Sequence, residues 1–334
     1  MEIQSATCVR IHSYGDLDSI IVEQVPIPEL EDTQILVRIE CAPINVSDLS
    51  RAFGHYNRQS LPHMLGIEGS GTVVKSGSHP YAQSLLGKRV SFDSTVLGFG
   101  TYSDYSVVSA FNAFPLRDSV TFEQAASLII NPMTVALMVE KLKKRNYTSV
   151  VLNAAASALG KMLIRWCKLL NIKTVGLVRR QEQVDILSSI GADYVFNTSD
   201  EGWQDAAKAL TTQLGTKIGF DAICGSATQE MLDLLEDKGV LYIYGGLSGQ
   251  LIQVSPLSFV VGDKAIKGVF LHAWINNMPI EKKAEFGYQI QDLIGDALKT
   301  DYQSEVTLDG VKDALKQYAG KKTDSKFLVR PKRD

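Results

Sequence analysis

The sequence has few cysteines, and none of them are paired. The four cysteines stand singly at positions 8, 41, 167 and 224, without a C-x-x-C motif. Disulfide frameworks and metal knuckles both need cysteines that cluster. The pattern therefore favours reduced thiols in a cytoplasmic protein.

Long apolar runs and an excess of one charge are also missing. No stretch approaches the roughly 20 consecutive apolar residues that span a bilayer, and the first residues, MEIQ, lack the basic and apolar segments of a secretory signal. The formal net charge is −3, with 21% charged residues of both signs, which gives no general attraction to nucleic acid or anionic lipid. We therefore expect no membrane and no nucleic acid as partner, and a cytoplasmic location.

The chain is long and rich in apolar residues. With 334 residues, 45% of them hydrophobic, it exceeds one ordinary core, which predicts two domains. Residues 1 to about 120 are typical of strands and turns, with apolar runs at 20–22, 34–39 and 69–74. The C-terminal residues mix a helix-like segment at 281–299 with strand-like ends, and we expect them to return to this first domain.

From about residue 150 the pattern changes. Short apolar segments alternate with amphipathic stretches such as 159–170 and one that ends near residue 191; the apolar segments are 150–152, 174–178, 194–196, 220–223 and 240–243. Strands that alternate with helices predict a parallel, doubly wound sheet with right-handed crossovers. The predicted fold class is therefore α/β, with a β-rich domain in addition to this sheet.

The first of these strands leads into a turn of small residues. Residues 153–160 read Asn-Ala-Ala-Ala-Ser-Ala-Leu-Gly and precede a helical pattern. A strand, a tight turn and a helix in this order let a pyrophosphate approach backbone N–H groups at the positive end of the helix. Alanine and serine stand where glycine is usual, so an alanine-rich helix start without a ligand is an equally good interpretation.

The end of the next strand indicates which dinucleotide would bind. An acidic residue here normally binds the ribose of NAD, whereas this chain has Arg179 and Arg180. Guanidinium groups bind a 2′-phosphate by charge-assisted hydrogen bonds, so the pair favours NADPH over NADH, with solvated surface arginines as the alternative. Gly245 and Gly246 follow the strand at 240–243, where such sheets bind ligands, or else form a plain turn.

Several further motifs occur along the chain, at 44–48, 54–56, 65–69, 100–102, 131–134, 153–157, 244–248 and 268–274. Together they resemble the zinc-independent quinone oxidoreductases and mitochondrial-type enoyl thioester reductases of the medium-chain dehydrogenase/reductase superfamily. The resemblance covers nearly the whole chain, and the motifs at 153–157 and 268–274 are similar to those of the enoyl reductase branch.

The resemblance implies a fold, an assembly and a set of contacts. It implies a chaperonin-10-like catalytic domain formed by 1–122 and 270–334, a Rossmann NADPH-binding domain at 123–269, and a homodimer formed through the Rossmann sheet edges. The residues expected to contact the cofactor are Asn131, Thr134, Ala156, Ser157, Ala158, Leu159, Gly160, Arg179, Arg180, Tyr244, Gly245, Gly246, Leu247, Phe270, Leu271, His272 and Lys326.

The metal ligands of zinc-dependent relatives are missing. Asn45 stands where a cysteine would precede the aspartate, and Ile67 stands where a histidine would follow the glycine. The third region offers Asn131 and Pro132, and residues 93–114 contain no cysteine for a structural zinc lobe. We therefore expect no metal. Without a Lewis acid to stabilise an alkoxide, reduction of an already polarised alkene is the more plausible chemistry.

The expected reaction is hydride transfer from NADPH to a quinone, or to the β-carbon of an enone or enoyl thioester. The segment at 54–56 resembles the one bearing the catalytic tyrosine of enoyl thioester reductases, which makes Tyr56 the candidate proton donor. A loop aromatic that packs is the alternative. Asn45 and Thr134 are candidates for orienting the cofactor amide or polarising the substrate, or else satisfy local backbone groups.

Two other functions compete with this interpretation. A zinc-type alcohol dehydrogenase is disfavoured by Asn45 and Ile67. A non-catalytic NADPH-binding protein has the same cofactor turns, because a fold does not by itself determine function.

Overall fold

The structure, a computed structural model, describes residues 3–55, 59–94, 99–321 and 325–332. The chain divides into two compact units. The first unit is Met1–Ile130 together with Met278–Asp334, and the second unit is Asn131–Asn277. The resemblance implies domain boundaries after residues 122 and 269.

The N-terminal part of the first unit consists mainly of strands. The strands are β1 (Ser5–Ile11), β2 (Ile20–Pro26), β3 (Gln34–Pro43), β4 (His63–Met64), β5 (Glu68–Ser76), β6 (Arg89–Asp93), β7 (Tyr105–Ser109) and β8 (Ala113–Pro115). The helices are α1 (Val46–Ala52), α2 (Pro80–Ser84) and α3 (Phe122–Ala126). The strands predicted at 20–22, 34–39 and 69–74 are confirmed.

The second unit alternates strands and helices. Its elements are α4 (Ile130–Lys144), β9 (Ser149–Leu152), α5 (Ala158–Leu169), β10 (Lys173–Val178), α6 (Gln181–Ser189), β11 (Tyr194–Asn197), α7 (Trp203–Gln213), β12 (Ile218–Asp221), α8 (Ala227–Leu234), β13 (Val240–Ile243), α9 (Leu257–Val260), β14 (Ala265–Gly268) and α10 (Leu271–Asn276).

The strands of the second unit form one parallel sheet. Within residues 131–277, all of which are described, the order is β11-β10-β9-β12-β13-β14. β9 and β12 are buried along their whole length, because helices cover both faces of such a sheet. The strand order reverses between β9 and β12, and the carboxyl ends of the strands at this point are where open α/β sheets bind ligands. The predicted fold class is confirmed.

The C-terminal residues complete the first unit. They form α11 (Ile280–Gln291), β15 (Tyr302–Val306), α12 (Val311–Lys321) and β16 (Lys326–Val329). The described residues of this unit make a sheet in the order β15-β16-β3-β5-β6-β8, with β7 beside β3, and a smaller sheet in the order β2-β1-β4. β16 pairs antiparallel with the end of β3, so the start of β16 lies next to the start of α1.

The helix predicted at 281–299 was too long. α11 ends at Gln291, and residues 292–298 form turns. The N–H of Leu298 donates to the carbonyl of Leu293 at 2.9 Å, which replaces the helical pattern. These turns bury Ile294 and Leu298, so the apolar periodicity of the segment reflects packing of turns rather than one continuous helix.

Two further observations concern membrane-spanning helices and the state of the cysteines. Among the described residues, no helix is long and apolar enough to cross a membrane. All four cysteines are buried as free thiols.

Candidate active site

The turn between β9 and α5 has the geometry of a phosphate-binding turn. Ser157 is the N-cap of α5, and its Oγ accepts the N–H of Gly160 at 3.1 Å. A Cβ at Gly160 would lie 2.2 Å from the carbonyl oxygen of Ala155, so glycine is required for this close approach. Ala156 is buried behind the turn. Ala158 and Leu159 begin α5, and the first N–H groups of a helix can bind an anion.

A buried carboxylate fixes this turn to the neighbouring strand. Asp221 ends β12 and accepts hydrogen bonds from Asn153 Nδ2 at 2.6 Å and from Thr228 Oγ1 at 2.7 Å. The N–H groups of Ile223 and Cys224 also donate to it, and Asn153 Oδ1 accepts the N–H of Ala222. These bonds turn the backbone away from the sheet. The strand predicted at 220–223 was therefore misplaced, because β12 ends at Asp221.

The two arginines follow β10 and are exposed. Arg180 is the N-cap of α6, and its Nε lies 3.7 Å from the exposed Glu182. The carbonyl of Arg179 accepts from Ser199 Oγ at 3.0 Å, which ties this loop to the one after β11. Two guanidinium groups thus stand at the carboxyl edge, at the position where an acid binds ribose in NAD enzymes. Their role in binding phosphate stays a prediction.

The glycine pair follows β13 at the same edge. The N–H of Leu247 donates to the carbonyl of Ala222 at 2.9 Å, and a Cβ at Gly245 would lie 2.9 Å from that oxygen, whereas a Cβ at Gly246 would meet open space. The Tyr244 hydroxyl is buried and has no hydrogen-bond partner among the described residues, and burial raises its pKa. An unpartnered polar group at the carboxyl edge suits a site that is completed by a ligand.

The remaining expected cofactor contacts of the second unit lie on α4 and at α10. Asn131 is half-buried and Thr134 is buried, both in the first turns of α4. Phe270 is the N-cap of α10, and its exposed ring lies 5.5 Å from the ring of His272. Leu271 between them is buried.

In the first unit, Glu68 connects two separate segments. Its carboxylate is fully buried at the start of β5. Oε2 accepts the N–H groups of Ile129 and Ile130 at 3.0 and 2.9 Å, and Oε1 accepts from Asn45 Nδ2 at 3.0 Å. Burial raises the pKa of Glu68, and the ammonium of Lys326 opposes that shift.

Lys326, at the start of β16, lies against the same cluster. Its side chain is only 2% exposed, its Nζ donates to Asn45 Oδ1, and the same Nζ lies 4.0 Å from Glu68 Oε1. Burial lowers the pKa of this lysine, while the charges of Glu68 and Asp48 raise it. The residue expected to contact the cofactor is therefore engaged with Asn45, which was expected to act in catalysis.

Asp48 stabilises the turn that carries Asn45. Its Oδ2 accepts the N–H of Asn45 at 2.8 Å at the N-terminus of α1. Burial raises the pKa of Asp48 to about 6, and the nearby Arg51 opposes this effect. Tyr56, the expected proton donor, lies outside the described residues.

The donor set does not fit a zinc ion. Asn45 and Ile67 stand in place of the thiolate and the imidazole, and Ile67 is buried and cannot ligate. No three His, Cys, Asp or Glu side chains within the described ranges are arranged to hold a metal. The ammonium of Lys326, itself a cation, is bound to Asn45 instead.

Sequence reasoning assigned no role to Glu68, Asn153 or Asp221. Asp221 ends β12, whose other residues are apolar or glycine, Asn153 directly follows β9, and Glu68 begins β5. Polar groups with almost no exposed surface need partners, and a carboxyl group at the end of an apolar run was the available signal for Asp221.

Both parts of the chain match models of dehydrogenase families, and its sequence is similar to those of enoyl reductases. Residues 31–118 match the model of the alcohol dehydrogenase GroES-like domain, and residues 158–283 match that of the zinc-binding dehydrogenases. A mitochondrial enoyl-[acyl-carrier-protein] reductase of Caenorhabditis elegans is 31% identical over 271 residues, which cover 78% of this chain and 75% of that protein. The enzyme of the same name from Arabidopsis thaliana is 29% identical over 300 residues, 88% of this chain and 79% of that protein.

The structure also matches solved structures along its whole length. A putative NADPH:quinone reductase from Mesorhizobium loti superposes with a TM-score of 0.90 at 25% identity, covering 99% of this chain and 100% of that chain. Together with the sequence relatives, this places a GroES-like domain and a Rossmann sheet in one chain. The chain therefore belongs to the medium-chain dehydrogenase/reductase family of oxidoreductases.

Proposed function

We propose that this chain is an NADPH-dependent reductase that transfers hydride to a quinone or to an activated C=C bond without a metal ion. The observation that carries the proposal is the donor set around Asn45. Where metal-dependent relatives supply a thiolate and an imidazole, this chain supplies an amide, an isoleucine and an ammonium group. Without a Lewis acid, a substrate that is already polarised is the best fit to the site.

The preference for NADPH rests on Arg179 and Arg180. Both are exposed at the carboxyl edge of the sheet, where they can form charge-assisted bonds with a 2′-phosphate. The expected pyrophosphate site is the N-terminus of α5, beyond the Ser157 cap. The name of the Mesorhizobium loti relative, a putative NADPH:quinone reductase, agrees with this preference.

The substrate classes follow from the chemistry and from the names of the relatives. Quinones, enones and 2-enoyl thioesters all accept hydride at carbon and place negative charge on an oxygen. Tyr56 is the proposed proton donor to the resulting anion, by resemblance of the segment 54–56. If Tyr56 has this role, Tyr56→Phe lowers kcat by about 10²–10⁴, and unchanged turnover removes Tyr56 from the mechanism.

The proposal is tested by NADPH oxidation against a panel of quinones, enones and enoyl thioesters. We expect turnover with at least one class, and R179A/R180A should weaken NADPH binding about 10-fold or more while leaving NADH binding nearly unchanged. The matched control K143A/K144A removes the same charge from the same unit. No turnover with any class, or equal loss in both double variants, contradicts the proposal.

We also propose that a second copy of the chain covers the outer edge of the Rossmann sheet. β14 is the last strand of that sheet within residues 131–277, and apolar side chains in the chain segment between β13 and β14 are exposed, Val260 to 80% and Leu251 to 88%. V260D should shift the sedimentation coefficient from dimer to monomer. L169D, an exposed leucine on α5 of the same unit, should not, and a monomeric wild type overturns the proposal.

A further inference from the structure

The orientation of the Asn45 amide is determined by its partners. A lysine ammonium can only donate and a carboxylate can only accept. Lys326 therefore faces Asn45 Oδ1, and Glu68 faces Asn45 Nδ2. Both the oxygen and the nitrogen of the Asn45 amide are therefore hydrogen-bonded. Nδ2 carries two N–H groups, of which one donates to Glu68.

Glu68 does not form a hydrogen bond with Lys326. Its oxygens accept the N–H groups of Ile129, Ile130 and Asn45, and the ammonium lies 4.0 Å from the nearest of these oxygens. The hydrogen-bond acceptor of the ammonium is a neutral amide oxygen. The Glu68 carboxylate is hydrogen-bonded to three neutral donors. It therefore attracts the Lys326 ammonium electrostatically without forming a direct hydrogen-bonded ion pair with it.

The place of this ammonium is informative. By the family resemblance, Asn45 occupies the sequence position of a metal-binding cysteine, and Glu68 directly follows the position of a metal-binding histidine. The ammonium is hydrogen-bonded to Asn45 and lies 4.0 Å from Glu68, although Asn45 and Lys326 are 281 positions apart in the sequence. One positive charge is thus held by the segments that would otherwise hold a metal ion.

We propose that Lys326 is the resident cation of this site, and that its ammonium, acting through the Asn45 amide, supplies the positive charge that metal-dependent relatives obtain from zinc. The inference rests on the proposed function. Hydride transfer would form a C–H bond at the substrate carbon, convert NADPH to NADP⁺ and move the π electrons to the substrate oxygen. A proton from the proposed donor Tyr56 would then complete the reduction. A fixed positive charge lowers the energy of the anionic oxygen. Lys326 and Glu68 are positioning residues, and Asn45 is the group that meets the substrate.

The test separates charge from structure. The double variant E68Q/K326M removes both buried charges and keeps side chains of similar shape, and well-packed replacements of buried ion pairs are often neutral for stability. We expect it to keep a Tm near that of the wild type, while kcat at saturating NADPH falls about 10²-fold, as for the loss of one oxyanion donor. Lys326→Arg, which keeps the charge, should retain more activity than the double variant. Lys332→Met, which removes an exposed charge from the same unit, should behave like the wild type.

A double variant with wild-type kcat overturns the inference but leaves the proposed function in place. ¹⁵N NMR of the lysine Nζ groups gives a second measurement, which reports whether Lys326 is charged. The Lys326→Met variant assigns the signal, and the measurement requires neither enzyme activity nor a known substrate. We expect the Lys326 signal to be that of a charged ammonium at pH 7. A neutral amine there overturns the inference even if no substrate in the panel is reduced.

Discussion

Two buried carboxylates, Asp221 in the second unit and Glu68 in the first, stabilise local structure but differ in how their charge is stabilised. Asp221 in the second unit accepts only neutral donors, from Asn153, Thr228 and two backbone N–H groups. Glu68 in the first unit also accepts neutral donors, but it has a lysine ammonium 4.0 Å away.

This difference in partners indicates a different role for each carboxylate. A carboxylate held only by neutral groups connects backbone segments, here the turn after β9 and the end of β12. A carboxylate with a nearby cation also holds a positive charge in place. The comparison therefore predicts a structural role for Asp221 and an electrostatic role for the pair in the first unit.

The largest expected effect on the free energy of unfolding comes from removing one member of the Glu68–Lys326 pair. Lys326→Met leaves Glu68 buried without its cation, which should cost about 3–5 kcal/mol in the free energy of unfolding. Urea denaturation measures it, and E68Q/K326M should recover most of the loss. If the single and the double variant lose the same stability, the two charges are not coupled.

Breaking the neutral connection should cost slightly less. Asp221→Ala removes the acceptor of four donors, two of them side chains, and we expect a loss of about 3 kcal/mol. NADPH affinity should fall as well, because Asn153 loses its partner at the phosphate turn. Thr228→Val removes a single donor and serves as the matched control, with a loss of about 1 kcal/mol. Wild-type NADPH affinity in the Asp221 variant would refute its role at the turn.

The smallest effect concerns the pH dependence of stability in the first unit. Burial raises the pKa of Asp48 to about 6 and lowers the pKa of His63 to about 4. Between these pH values, rising pH lowers the free energy of unfolding through Asp48, because the unfolded chain has already lost that proton. Over the same range it raises the free energy of unfolding through His63, because the unfolded chain still binds the imidazole proton.

The two slopes oppose each other in the wild type. Asp48→Asn leaves the His63 slope alone, so the free energy of unfolding should rise by about 2 kcal/mol between pH 4 and pH 6.5. His63→Gln should give a slope of the opposite sign. If the free energy of unfolding changes with pH in the same way in both variants, the shifted pKa values of Asp48 and His63 are contradicted.

The sequence was most informative where the contacts are local. The turn from β9 into α5 could be predicted because Ser157 caps the helix three residues before Gly160, and the small residues needed for close approach are neighbours in the chain. The alternation of strands and helices in the second unit is likewise visible from short-range patterns, apart from the end of β12, where the hydrogen bonds of Asp221 turn the chain.

The cluster in the first unit could not be predicted in the same way. Asn45 and Lys326 are 281 positions apart, and only the antiparallel pairing of β16 with β3 brings them together. The resemblance supplied both residues but gave them separate roles. The overlong helix at 281–299 has a related cause, since periodicity records which residues are buried and not which backbone conformation buries them.

The proposed function depends most directly on hydride transfer without a metal ion. The decisive measurement is NADPH oxidation by enzyme that has been treated with a chelator and shown by elemental analysis to contain far less than one zinc per chain. We predict that this enzyme turns over its best quinone, enone or enoyl thioester at the untreated rate. Loss of activity on chelation, with recovery when one equivalent of zinc is added, would contradict the account.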